Sequence, residues 1–263
     1  MADFTTTPPH PSAPRALVLL AAGQGSRLRP LTETTPKSML DIGGKTILET
    51  ILDPLLEEKT REIVIVTGFE GDQLSAFIET AYPGKNIRTV RNARYAEDTN
   101  ILSTQIGVEA LRHPERGYFI IETDIIAPAH VWSGIVAQED RLGSFWVTHD
   151  RYNPGLTGGI VNVDATGKVT DIRYEPDYNE RFEGWPKMLG VLSVGPGEVA
   201  EDRRTRATLA ARSFSQYYMQ PWIENASRLP CQTYDLGRDF AMSFNTQDAF
   251  ETAKQAFGAQ NKS

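Results

Sequence analysis

The sequence ALVLLAAGQGSRLRPLTETTPK, residues 16–37, joins an apolar run to a loop rich in small residues. The run at residues 16–20 predicts a short buried strand, and alanine and glycine follow it directly. Small residues such as Gly23 and Gly25 let backbone N–H groups approach an anion closely, while Arg27 and Lys37 add positive charge. The segment therefore predicts a strand that leads into a phosphate-binding loop.

Two common phosphate-binding motifs do not match this loop. A dinucleotide-binding G-x-G-x-x-G motif would need glycine where Leu28 stands. A P-loop that ends at Gly44-Lys45-Thr46 would need glycine in place of Met39. A simple tight turn would account for the two glycines, but not for the arginine, prolines and lysine spaced along residues 27–37.

Strand and helix patterns alternate through the first 150 residues. Short apolar or β-branched runs predict strands at residues 16–20, 62–67, 86–90, 118–121 and 144–148. Apolar residues at spacings of three and four predict helices at residues 46–59, 72–82, 100–112 and 130–140. This alternation predicts an α/β fold of Rossmann-like type, a mostly parallel mixed sheet flanked by helices, with ligands beyond the carboxyl ends of the strands.

The pattern changes after residue 150. Residues 158–164 and 168–174 flank Asp164-Ala-Thr-Gly167 and predict a β-hairpin, which a strand at residues 188–194 follows. We interpret these pieces as a small inserted β-layer. The rest of the chain predicts a helix at residues 214–226, interrupted by Pro221, then a strand at residues 242–245 and a closing helix at residues 246–257.

Composition and charge exclude several classes of protein. The 263 residues are 40% hydrophobic with a formal charge of −7, which argues against a surface that wraps nucleic acid or coats a membrane. No apolar stretch reaches the roughly 20 residues that span a bilayer. The single cysteine, Cys231, excludes an internal disulfide and favours a buried structural role in a reducing, cytoplasmic location. The proline-rich residues 1–14 predict a disordered tail.

The segment at residues 20–37 resembles the signature of nucleotidyltransferases that activate sugar 1-phosphates, phosphocholine and aminoethylphosphonate, roughly L-A-A-G-x-G-[ST]-R-[LM]-x-P-L-T followed by P-K. The resemblance implies a fold of the nucleotide-diphospho-sugar transferase type. It implies that Arg27 binds the β and γ phosphates and that Lys37 lies near the α-phosphate and the acceptor phosphate. The other nucleotide-binding residues that it implies in this loop are Leu20, Ala21, Ala22, Gly23, Gly25 and Ser26.

Two polar residues near strand ends are candidate metal ligands. Nucleotidyl transfer depends on positioning and on neutralisation of charge, which Mg²⁺ held by one or two side-chain oxygens supplies. Asp124 follows the apolar run at residues 118–121 and resembles the metal aspartate of the family. Asn245 takes the position of the second ligand by the same resemblance. The alternative for both residues is the capping of a helix or turn.

The candidate base-binding residues are Asn100 and Ser103, in a segment that resembles the one facing the nucleobase. Capping of a helix is the alternative here too. Sugar-1-phosphate enzymes often carry Glu-Lys-Pro in the acceptor half, where this chain has Tyr174-Glu175-Pro176 without the lysine. The aromatic residues of that half suggest a cradle for a cationic amine, in competition with core packing. We expect the acceptor to contact Lys37, Tyr152, Glu175 and Lys187.

The resemblance, together with the missing lysine, implies a CTP-dependent cytidylyltransferase that transfers CMP to a small phosphorylated or phosphonylated acceptor. Arg27, Lys37 and Asp124 are its candidate catalytic residues. A sugar-1-phosphate nucleotidyltransferase using UTP or dTTP is the alternative, and a catalytically inactive nucleotide-binding regulatory subunit is the second. We expect a single domain at residues 15–263, with a nucleotide-binding part at residues 15–150 and an acceptor-binding part at residues 151–240. The resemblance also suggests a homodimer.

Overall fold

The computed structural model describes residues 14–58 and 61–260. The tail predicted at residues 1–14 thus lies, except for Pro14, outside the described residues. The strands are β1 (Ala16–Ala21), β2 (Ile63–Thr67), β3 (Ile87–Arg91), β4 (Tyr118–Glu122), β5 (Ile125–Ile126), β6 (Phe145–Arg151), β7 (Gly158–Val163), β8 (Val169–Glu175), β9 (Pro186–Val194), β10 (Gln232–Asp235) and β11 (Met242–Ser243). The α-helices are α1 (Ile47–Glu58), α2 (Gly71–Ala81), α3 (Ile101–Glu109), α4 (Ala129–Ala137), α5 (Val199–Arg212), α6 (Gln220–Glu224) and α7 (Gln247–Gln260).

The main sheet has the strand order β10-β6-β9-β4-β1-β2-β3. Strands β4, β1, β2 and β3 run parallel to one another, whereas β9 runs antiparallel to both β4 and β6. The hairpin of β7 and β8 is attached to β9. The predicted mostly parallel mixed sheet is confirmed, with one correction: the strand at residues 188–194 belongs to the main sheet, and the inserted layer is the hairpin alone.

Strand β1 lies in the middle of the sheet because it is apolar on both faces. Leu17 and Leu19 pack into the cluster that contains α1 and α4, whereas Val18 packs on the opposite face with α3. All three side chains are fully buried. Continuous apolar sequence is typical of such central parallel strands. The loop that follows β1 is therefore fixed at the centre of the sheet edge.

Helix α3 approaches the sheet closely because Gly107 has no side chain. A Cβ atom at residue 107 would lie 2.3 Å from Val18 Cγ1 and 2.8 Å from Val66 Cγ2. We expect Gly107→Ala to lower the free energy of unfolding by about 1–3 kcal/mol, the usual cost of overpacking, in urea denaturation. The control is Gly258→Ala in α7, where an added Cβ meets nothing within 4 Å and the better helix former should be neutral or stabilising. Unchanged stability of Gly107→Ala would contradict the expected clash.

Helix α5 buries an ion pair and was not predicted from the sequence. Asp202 and Arg206 are both buried, and Asp202 also accepts hydrogen bonds from Tyr118 Oη at 2.6 Å and Trp222 Nε1 at 2.8 Å. Arg206 donates to the backbone oxygen of Tyr218 at 2.8 Å. Buried charges are tolerated when they are paired and hydrogen-bonded in this way. The network ties α5 to β4 and to the segment that carries Tyr218.

The helix predicted at residues 214–226 is shorter than expected. Helix α6 begins at Gln220, with Pro221 in its first turn. Proline is well suited to that place because the first turn needs no donor from its nitrogen, so Pro221 starts the helix and does not interrupt one.

Cys231 is buried as predicted, and burial raises the pKa of its thiol to about 12. Among residues 14–58 and 61–260, no helix has the length and apolar character needed to cross a membrane.

Candidate active site

A cleft of about 500 Å³ opens beyond the carboxyl ends of β1 and β4. This is the place where parallel α/β sheets bind ligands, since the loops after neighbouring strands diverge there. One wall is the loop after β1, and all of its predicted nucleotide-binding residues line the cleft: Leu20, Ala21, Ala22, Gly23, Gly25, Ser26 and Arg27.

Two side-chain hydrogen bonds hold the backbone at the end of β1 and in the loop that follows it. Thr32 Oγ1 donates to the backbone oxygen of Gly25 at 2.7 Å, and Thr123 Oγ1 donates to that of Leu20 at 2.9 Å. Gly25 has a φ of 58°, in the left-handed region that favours glycine. Within the described part of the chain, the N–H groups of Gly23 and Gly25 have no acceptor. They are therefore available to an anion in the cleft.

A cluster of polar and charged side chains faces this loop. Strand β11 pairs antiparallel with β5, which brings residues 244 and 245 beside Asp124. Lys37 Nζ lies 2.7 Å from Asp124 Oδ2, 2.6 Å from the backbone oxygen of Phe244 and 3.3 Å from Asn245 Oδ1. Arg27 Nη2 donates to Asn245 Oδ1 at 2.9 Å. The four predicted residues thus form one connected group.

The capping alternative is not realised for either candidate metal ligand. Helix α7 is capped by Thr246, whose Oγ1 accepts from the N–H of Ala249 at 3.3 Å. Asn245 instead directs its oxygen toward Arg27 and Lys37. Asp124 Oδ1 is buried and accepts no hydrogen bond from any described residue. A buried acceptor without a donor is costly unless a ligand satisfies it.

The predicted base-binding residues line the cleft, but their polar groups are held by the protein. Ser103 Oγ donates to Asp98 Oδ2 at 2.7 Å and accepts from Asn92 Nδ2 at 2.9 Å. Asn100 Oδ1 accepts from the N–H of Tyr218 at 2.6 Å. The first turn of α3 is capped by Asp98, which accepts from the N–H groups of Leu102 and Ser103. Asn100 and Ser103 therefore shape the cleft wall.

Glu122, which no sequence motif indicated, also lines the cleft. Burial, reinforced by repulsion from Asp124, raises the pKa of its carboxyl to about 8. Lys187 lies in the cleft as predicted; burial lowers the pKa of its ammonium, and attraction to Glu122 opposes that shift. Glu122 is the last residue of β4, and Asp124 lies two residues beyond it in the turn before β5, so no strand periodicity links the two side chains.

Two predicted acceptor contacts do not lie in the cleft. Tyr152 is fully buried, and its hydroxyl donates to the backbone oxygen of Asp177 at 3.0 Å. Glu175 accepts from Asn179 Nδ2 at 3.2 Å outside the residues that line the cleft. Since neighbouring strand residues face opposite ways, Tyr174 points inward where Glu175 does not. Its ring stacks on Tyr217 with the ring centroids 3.9 Å apart, and both rings line the cleft.

Comparison with known proteins agrees with this geometry. The family model described as nucleotidyl transferase matches residues 16–180. The chain belongs to the nucleotidyl transferase family. The matched residues run from β1 through the hairpin of β7 and β8, and they include the loop, Lys37 and Asp124. Lys187 and Asn245 follow the matched residues 16–180 in sequence, and the fold places both in the lining of the cleft.

Several relatives of this nucleotidyl transferase have known activities. A 2-aminoethylphosphonate cytidylyltransferase of Lancefieldella rimae is 30% identical over 157 residues, 59% of this chain and 59% of the relative. A UTP–glucose-1-phosphate uridylyltransferase of Haloferax volcanii is 28% identical over 162 residues, 61% of this chain and 65% of the relative. The chain thus spans less than two thirds of either relative. A solved CTP:phosphocholine cytidylyltransferase from Streptococcus pneumoniae shares the fold, with a TM-score of 0.76, 19% identity and coverage of 93% of this chain and 99% of that one.

The donor set of the nucleotidyl transferase fits a divalent cation. Asp124 offers a buried oxygen without a donor, and Asn245 offers an amide oxygen at the same end of the cleft. Among the described residues, no group of three or more His, Cys, Asp or Glu side chains could hold a metal ion. A hard cation that keeps water and phosphate oxygens as its remaining ligands needs no more than one or two protein oxygens. Nucleotidyltransferases generally use such a metal.

Proposed function

We propose that the protein is a Mg²⁺-dependent cytidylyltransferase, which transfers CMP from CTP to a small phosphorylated or phosphonylated acceptor and releases pyrophosphate. The observation that carries the proposal is the group of Lys37, Asp124 and Asn245, which faces a glycine-rich loop with free N–H groups. Cations and N–H donors that surround an unsatisfied carboxylate oxygen suit a triphosphate that arrives with its metal.

Each group of the cleft has a role in this reaction. The N–H groups of the loop and Arg27 hold the β and γ phosphates, while Lys37 stabilises the charge that develops at the α-phosphate. An oxygen of the acceptor forms a bond to the α-phosphorus as the bond to the β-phosphate oxygen breaks, and pyrophosphate leaves in line. The acceptor oxygen is already ionised at neutral pH, so no general base is needed. Asp124 and Asn245 would hold the metal, which would neutralise part of the phosphate charge.

The choice of nucleotide and acceptor is supported by the relatives and by Lys187. The relative from Lancefieldella rimae is a cytidylyltransferase for a phosphonate. Lys187 lies in the acceptor half of the cleft and compensates for the lysine that is absent from Tyr174-Glu175-Pro176. The uridylyltransferase relative keeps UTP and a sugar 1-phosphate as the second candidate pair.

The test measures pyrophosphate release in the presence of Mg²⁺. Each nucleoside triphosphate is supplied in turn, together with a panel of acceptors. The panel contains phosphocholine, 2-aminoethylphosphonate, other small phosphonates and sugar 1-phosphates. Release with CTP and a small phosphate or phosphonate is the expected result. Release with UTP or dTTP and a sugar phosphate would instead establish the second candidate. Binding of nucleotide without release would point to an inactive regulatory subunit.

A further inference from the structure

Glu122 is built into the cleft by its neighbours. It is the last residue of β4, and the adjacent strand β9 has Gly190 beside it with a φ of 98°. A Cβ atom at residue 190 would lie 2.6 Å from Glu122 Oε2, so the glycine leaves the space that the carboxylate fills. Asn100 Nδ2 donates to Oε1 at 3.1 Å and fixes the orientation of the group.

The second oxygen of Glu122 is open to a ligand. Among the described residues, none donates a hydrogen bond to Oε2, and no cationic side chain lies within 4.0 Å of the carboxylate. The nearby ammonium groups are directed elsewhere: Lys37 contacts Asp124, and Lys187 donates to the backbone oxygen of Met188 at 2.9 Å. A carboxyl group in this cleft without a direct cationic partner is suited to a cationic ligand, because the arriving cation would favour its ionised form.

The position of Glu122 assigns that cation to the acceptor. The triphosphate loop follows β1, whereas Gly190 and Lys187 belong to β9, the strand on the other side of β4. Oε2 of Glu122 therefore faces β9, the strand that carries Lys187. Lys187 has two N–H groups beyond the one directed at Met188, and these suit the phosphate or phosphonate oxygens of the acceptor.

We infer, on the basis of the proposed function, that Glu122 binds a primary ammonium group on the acceptor, which makes the acceptor a small amino-phosphonate or amino-phosphate. A primary ammonium donates hydrogen bonds to a carboxylate, whereas a trimethylated one does not and needs enclosing aromatic faces. The rings of Tyr174 and Tyr217 stack with their centroids 3.9 Å apart, so one face of each ring is covered by the other and cannot contact a ligand. The site therefore favours 2-aminoethylphosphonate over phosphocholine.

The test compares two acceptors that differ in one group, 2-aminoethylphosphonate and 2-hydroxyethylphosphonate, with CTP and Mg²⁺. We expect kcat/KM to be about 10- to 100-fold higher for the amine in the wild-type protein, the value of one charge-assisted hydrogen bond. Glu122→Gln keeps the shape and the contact with Asn100, and it should lower kcat/KM for the amine at least 10-fold more than for the hydroxyl compound, which removes the preference. Glu79→Gln, an exposed change of the same charge on α2, is the control.

Two results would overturn the inference while leaving the proposed function in place. One is an equal loss for both acceptors in Glu122→Gln, which would place its effect on the metal or the nucleotide. The other is a wild-type preference for phosphocholine over 2-aminoethylphosphonate. If CTP gives no turnover, the proposed function fails separately. In that case, calorimetric titration of each phosphonate into the protein tests the inference. Equal affinity for the amine and the hydroxyl compound would overturn it, and so would a preference for the amine that survives in Glu122→Gln.

Discussion

Asp124→Asn should lower kcat by roughly 1000-fold, because it removes the charge that holds the metal beside the phosphates. Asparagine keeps the shape of aspartate and an oxygen that can accept from Lys37, which lies 2.7 Å from Asp124 Oδ2. The fold should therefore be preserved, and far-ultraviolet circular dichroism should match that of the wild type. Pyrophosphate release at saturating CTP measures the change.

The control for this variant is Asp72→Asn, in which a side chain with 94% exposure loses the same charge. Its kcat should stay within about twofold of the wild type, since surface charges of this kind have small effects. Raising the Mg²⁺ concentration should restore part of the activity of Asp124→Asn, because weaker metal binding is then offset by mass action. Full activity of Asp124→Asn at ordinary Mg²⁺ would rule out this metal assignment.

Lys37→Met should also lower kcat by roughly 100- to 1000-fold, the usual loss when a group that stabilises developing charge is removed. Methionine keeps an apolar stem of similar length, and the side chain of Lys37 is only 15% exposed. The variant leaves Asp124 Oδ2 and the backbone oxygen of Phe244 without their donor. We therefore expect it to be less stable by about 1–3 kcal/mol in urea denaturation.

The matched control is Lys45→Met, which removes an ammonium whose side chain is 58% exposed and paired with Asp53. It should change neither kcat nor stability by much. Kinetics must be measured at a temperature where Lys37→Met is fully folded, so that the loss of kcat reports on chemistry. A variant that is destabilised but as active as the wild type would show that Lys37 serves only as a structural link between Asp124 and Phe244.

The sequence predicted the sheet well because its central strands are apolar throughout. It did not predict α5, whose inward face carries Asp202 and Arg206 where the pattern calls for apolar residues. A buried ion pair conceals the helical period from any hydrophobicity pattern, since charged residues stand at positions that face the core. Strand β10 was missed for a different reason: it is a four-residue edge strand with a half-buried, polar sequence.

The candidate site was predictable where one short segment carries it. The loop motif contains Arg27 and lies close to Lys37 in sequence, and every site residue predicted from it lines the cleft. The acceptor half was harder, because its contacts depend on which way each strand residue faces. The prediction of Glu175 was one residue from Tyr174, and such a shift moves a side chain to the other face of a strand. Glu122 requires knowledge of β9 and Gly190, which no local pattern contains.

The pairing of β5 with β11 has a consequence for how the protein is made. Lys37 and Asn245 are 208 positions apart, and they meet only after the two-residue strand Met242–Ser243 has docked beside Asp124. On the ribosome, the loop and its strand emerge early, whereas the group of Lys37, Asp124 and Asn245 is completed only after residues 242–245 have been made. A nascent chain released before residue 242 would carry the glycine-rich loop without the cluster that faces it.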